Sequence, residues 1–126
     1  MTRLILDAGA FVAFEKGDAR VRARLTAARR LGLELVTTSP VIGQVWRDGR
    51  RQVLLARLIE ATNVDAPTEL SARRAGELLA KTRTHDVVDA MLVGRVKVGD
   101  TVLTSDPHDV EMLLATTGVR ATVETI

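Results

Sequence analysis

The chain has 126 residues, 46% of them hydrophobic, enough apolar material for one domain with a buried core over residues 1–126. It has no cysteine, which excludes disulfides, thiolate metal sites and cysteine nucleophiles, and with only 2% aromatic residues its core must be aliphatic. Net charge is +2, but residues 1–57 carry 11 Lys and Arg against 5 Asp and Glu, and residues 58–126 carry 7 against 11; 15 of the 18 basic residues are Arg, which suits phosphate contacts or, equally, a solvated helix surface.

The opening MTRLILDAGA has too short an apolar run for a signal peptide. No stretch approaches the roughly 20 apolar residues that span a bilayer. The expectation is a soluble, cytoplasmic protein with no membrane contact. RLIL, residues 3–6, reads as a buried first strand that ends at Asp7. A short helix through AFVAF follows. GDARVRARLTAARR is an amphipathic helix with Val21, Leu25 and Ala28 on one face, closed by Gly32. LELVT is a second strand. SPVIGQVWR opens another helix, with Ser39 as N-cap and Pro40 at the first helical position. After a break near Gly49, DGRRQVLLARLIEA resumes the helical pattern, and NVDA is a brief extended segment. PTELSARRAGELLAKT is a helix capped by Thr68. HDVVDAMLVGRVKV is the next, its apolar face built from Val88, Met91, Leu92 and Val96. TVLTS is a strand, DPHDVEMLLATT a helix with Pro107 in its first turn, and RATVETI a last strand. Alternating strands and helices predict an α/β fold: a central parallel sheet of about five strands between two helix layers. Ligands in such folds bind outside the carboxyl ends of the strands.

Acids collect at that edge. Asp7 ends the first strand and Asp106 follows VLTS. Asp109 lies one helical turn past Asp106. Asp86 and Asp89, three residues apart, share a helix face. Asp7, Asp86 and Asp106 each also fit a helix N-cap, and Asp109 a solvated first-turn acid. Gathered together, like charges need protons or a cation, and an all-oxygen donor set favours Mg²⁺ or Mn²⁺ over zinc. His85 fits a general base, a ligand or a partner for a nearby carboxylate. Arg47, Arg50 and Arg51 are candidates for clamping a nucleic-acid backbone, or a solvated basic turn; residues 44, 47 and 51 share a helical face if the helix runs through Gly49.

LILDAGAFVAF, VVDAMLV and VLTSDPHDV, in that order and strand context, resemble the PIN-domain family, and within it the small VapC-type toxins. The resemblance covers essentially the whole length. It implies a three-layer α/β/α domain and a Mg²⁺- or Mn²⁺-dependent ribonuclease whose acidic pocket maps onto Asp7, Asp89 and Asp106. It makes Asp109 an auxiliary acid and gives Thr104 a hydroxyl role in orienting a carboxylate or water. It further implies a homodimer and a cognate antitoxin partner. Where the family usually carries a pocket Glu, on the helix after the second strand, this chain has Gln44. An amide offers a carbonyl oxygen but no charge; Asp86, one turn from Asp89, is the nearest candidate to supply it. Two functions follow: an active toxin-like ribonuclease, or a catalytically weak or inactive module that binds RNA or a protein.

Overall fold

A computed structural model describes residues 2–126. The first strand, β1 (Arg3–Leu6), is an aliphatic run with Leu4, Ile5 and Leu6 wholly buried. A strand apolar on both faces belongs at the centre of a parallel sheet covered by helices. β1 is the middle strand of five, in the order β3–β2–β1–β4–β5, and every pairing is parallel. The others are β2 (Glu34–Thr38), β3 (Asn63–Asp65), β4 (Thr101–Thr104) and β5 (Thr122–Thr125).

Helices α1 (Ala8–Glu15) and α2 (Ala19–Arg30) lead to β2, and α3 (Ser39–Val45) and α4 (Val53–Glu60) lead to β3. Helices α5 (Glu69–Thr82) and α6 (Val87–Val93) carry the chain back across the sheet to β4, and α7 (Pro107–Thr117) leads to β5. The crossover reverses direction after β3. Right-handed connections therefore set α1–α4 on one face and α5–α7 on the other. Contacts agree: α1 packs on α2, α3 and α4, while α5, α6 and α7 pack on one another. The core is aliphatic around Phe11, with Leu4, Ile5, Leu55, Leu92, Val102 and Val110 among its buried members. On α2 the buried residues are Val21, Leu25 and Ala28, the expected face, and Gly32 closes the turn at φ +74°. Among the described residues no helix is long and apolar enough to cross a membrane.

Three expectations change. The cap of α3 is Thr38, not Ser39, which is already helical, and Thr38 makes no side-chain capping bond. That helix stops at Val45 because Trp46 turns extended, and α4 starts only at Val53. Gln44, Arg47 and Arg51 therefore share no helical face; Arg47, Arg50 and Arg51 lie in the connecting loop. Finally, the helix expected over HDVVDAMLVGRVKV covers only Val87–Val93. Gly94 and Gly99, the second at φ +89°, favour turns there over a third helical turn.

Candidate active site

The parallel register brings every strand's carboxyl end to one edge. Asp7 continues β1 in extended backbone, and its N–H bonds to the Leu103 carbonyl of β4. Its carboxylate is held at both oxygens: Oδ1 accepts from the Ala8 N–H, and Oδ2 accepts from the Thr104 hydroxyl at 2.5 Å. Thr104, wholly buried, in turn accepts the Asp106 N–H at 2.9 Å. One hydroxyl thus ties the first acid to the backbone of the second. Asp7 is only 5% exposed, and burial pushes its carboxyl above the ordinary range. The Thr104 and Ala8 bonds pull it back, and the charges of Asp86 and Asp106 push it further up.

Asp86 and Asp89 come from the cap and first turn of α6, which lies against β2 and α3. Asp86 caps α6 by accepting the Asp89 N–H at 3.0 Å, as the capping alternative expects. Asp89 is half-buried, and burial raises its carboxyl to about 7, with Asp7, Asp86, Asp106 and Asp109 adding to the rise. All five acids therefore share one electrostatic neighbourhood. Asp106 occupies the cap position of α7 but makes no capping bond, so its exposed carboxylate is left over. Asp109 lies against it, and that carboxyl–carboxyl contact raises Asp109. None of the five takes part in an ion pair among the described residues; the pairs present are Arg3–Asp100, Arg24–Glu124, Arg51–Asp48, Arg73–Glu69 and Arg95–Asp65.

Uncompensated charge and an all-oxygen donor set fit a hard divalent cation. The carboxylates converge without closing into a cage: among the described residues no three acidic or imidazole groups meet at ligand spacing. Gln44 stands exposed on α3, outside the buried Asp7–Thr104 pair. His85 is exposed just ahead of α6.

The basic loop is organised by a residue that sequence reasoning missed. The Gln52 amide oxygen accepts the N–H groups of Arg47 and Asp48 at 2.7 and 2.9 Å, and its nitrogen donates to the Val45 carbonyl at 3.0 Å. Arg47 turns back onto the Gly43 and Trp46 carbonyls at the end of α3. A glutamine opening a helical pattern carries no sequence signal for this. Elsewhere, a cleft of about 320 Å³ opens between α5, α6 and α7, but Arg74, Glu77, Lys81 and Arg95 line it with both signs of charge and no acid cluster.

No protein-family model matches the chain. A curated relative, ribonuclease VapC10 of Mycobacterium tuberculosis, is 28% identical over 120 residues in both strains compared, H37Rv and CDC 1551, covering 92% of this chain and 83% of the relative. A chain in the crystal structure of Rickettsia felis VapBC2 bound to a promoter DNA fragment superposes with a TM-score of 0.69 at 11% identity, over 99% of each chain. A chain in DNA-bound VapBC from Salmonella typhimurium superposes with a TM-score of 0.71 at 17% identity, over 98% of each. These low identities speak for the fold, and VapC10 speaks for the sequence. The resemblance to VapC-type PIN domains, first carried by three short motifs, thus holds in sequence along 92% of the chain and in fold along nearly all of it.

Proposed function

We propose that the protein is a ribonuclease, the toxin of a toxin–antitoxin pair, that hydrolyses RNA phosphodiester bonds with Mg²⁺ or Mn²⁺. The observation that carries this reading is the acid cluster around buried Asp7, without an ion pair among the described residues, at the edge where a parallel sheet places ligands. The VapC10 ribonuclease relative supports the reaction class, and the VapBC complexes support an antitoxin partner. Asp7, Asp89 and Asp106 would hold the cation, with Asp86 and Asp109 adding charge. When bound, the cation supplies an activated water and offsets charge on the leaving oxygen. Thr104 keeps the Asp7 carboxylate in one orientation and fixes the Asp106 backbone beside it. Arg47, Arg50 and Arg51 offer phosphate contacts from their loop, and a homodimer is the expected assembly. The cytoplasm is the compartment this reading expects.

The test is incubation of the pure protein with mixed RNAs and Mg²⁺, Mn²⁺ or EDTA. Cleavage should need the cation and fall at least about 100-fold in Asp7→Asn, as when a group essential to the chemistry is removed. Cleavage that survives EDTA or Asp7→Asn overturns the mechanism. Gln44 favours a second reading, a catalytically weak module that binds RNA or a protein; RNA bound but uncut under every cation would select it.

A further inference from the structure

The carboxyl edge holds one more polar side chain that neither the fold nor the proposed reaction has used. Thr38 ends β2, is wholly buried, and its hydroxyl is the buried side-chain polar atom left without a hydrogen-bond partner among the described residues. Buried hydroxyls are seldom left unpaired, because the lost hydrogen bond to water is not replaced. It does not cap α3, although it occupies the cap position.

Its place in the sheet says what it faces. Ile5 is matched with Val36, and both strands stay extended for two more residues, so Asp7 falls opposite Thr38. On the other side Leu6 is matched with Leu103, which sets Asp7 opposite Thr104. Residues matched across a parallel sheet project from the same face. The Thr104–Asp7 hydrogen bond confirms this for one side of the row. Thr38, Asp7 and Thr104 therefore form a row across three strands, with a threonine on each flank of the acid. The two hydroxyls differ: Thr104 is fully engaged, giving its proton to Asp7 and accepting the Asp106 N–H, while Thr38 is free to do both. Helix α6, which carries Asp89, packs on β2, the strand that Thr38 ends.

We propose that Thr38 is a positioning residue for the acidic pocket, its hydroxyl holding an ordered water against the Asp7 carboxylate. Each Asp7 oxygen already accepts one hydrogen bond and keeps a lone pair for another, so a water bridging Thr38 and Asp7 satisfies the hydroxyl without displacing Thr104. That water is placed to become one of the waters an incoming cation retains. The inference rests on the metal-site reading for its consequence but not for its geometry.

The test compares wild type, Thr38→Val, which keeps the shape and loses the hydroxyl, and Thr38→Ser, which keeps the hydroxyl. Metal-free crystal structures should show a water about 3 Å from both the Thr38 Oγ1 and an Asp7 oxygen in wild type and Thr38→Ser, absent in Thr38→Val. Mn²⁺ affinity by calorimetry should fall about tenfold in Thr38→Val, the scale of an outer-shell contact, and recover in Thr38→Ser. The melting temperature of metal-free Thr38→Val should be no lower than wild type. A hydroxyl bonded to a protein group, or the same water in Thr38→Val, overturns the proposal, as does unchanged Mn²⁺ affinity in Thr38→Val. Wild-type protein that takes up no Mn²⁺ overturns the metal site instead, and the water alone then decides Thr38.

Discussion

Asp89 holds its proton to a pH near 7 in the folded chain, against 3.8 for an ordinary carboxyl, with burial as the main cause and four neighbouring acids behind it. The direction fixes a pH dependence. At low pH the folded and unfolded states are both protonated, and the contribution to stability is intact. As pH rises, the unfolded chain ionises first, and the folded state must ionise against its surroundings. Stability of the metal-free protein should therefore fall between about pH 4 and pH 7. After discounting for the half-exposed position, the loss amounts to about 1–2 kcal/mol. Urea denaturation at pH 5 and pH 8 checks it; Asp89→Asn should flatten most of the slope and stabilise the protein at pH 8. Gln44→Glu makes the complementary test: a sixth acid, added from α3, should tighten Mn²⁺ binding several-fold by calorimetry, and an unchanged affinity would place residue 44 outside the pocket. At this scale the acids were legible because carboxylates at strand ends are conspicuous. Thr38 was not, because the pattern ends the strand LELVT at Thr37 and offers Ser39 as the cap, which leaves Thr38 between the two with no role. Only register, which a sequence does not print, shows that it stands opposite Asp7.

Between elements, close approach decides the pocket's shape. A Cβ on Gly9 would lie 2.7 Å from the Ser105 Cβ and 3.2 Å from its backbone nitrogen. The first turn of α1 therefore leaves room for the β4–α7 connection only because residue 9 has no side chain. That connection carries Asp106, so Gly9→Ala should push the second acid away from the first. We expect a loss of about 1–3 kcal/mol in thermal stability together with weaker Mn²⁺ binding. The loop after α3 shows a different device. Gln52 holds it by three bonds to Arg47, Asp48 and Val45, so its arginines stand on a fixed base. Trp46, the single tryptophan, lies in this loop and is 38% exposed. Gln52→Ala should free the loop and shift Trp46 emission to the red, a change read directly by fluorescence. Helix positions here were legible from periodicity and caps. Helix ends were not, since the stop at Val45 depends on loop hydrogen bonds that the sequence pattern does not encode.

Over the whole molecule the alternation of aliphatic strands with amphipathic helices was enough to predict a five-stranded parallel sheet between two helix layers. Strand order was beyond it, because that depends on where the crossover reverses. The sheet's two edges divide the labour. Acids gather at the carboxyl edge, while at the amino edge Asp100 accepts from Arg3 at 2.7 Å and from the Lys97 N–H at 2.7 Å. Burial works against this aspartate's charge, but the Arg3 and Lys97 bonds outweigh it and hold its carboxyl below the ordinary range. Asp100→Ala leaves Arg3 without its partner and should cost about 3 kcal/mol in urea denaturation, while the carboxyl-edge site stays intact. The same polarity governs how the protein can be handled. Arg3 enters the sheet at the amino edge, whereas the Ile126 N–H bonds to the Thr104 carbonyl, two strands and about 10 Å from Asp7. A fusion partner or surface tether joined after Ile126 emerges beside the acids and competes for their approach. One joined ahead of Arg3 leaves from the opposite side of the sheet, so the choice of attachment end is itself a steric probe of what must reach the carboxyl edge.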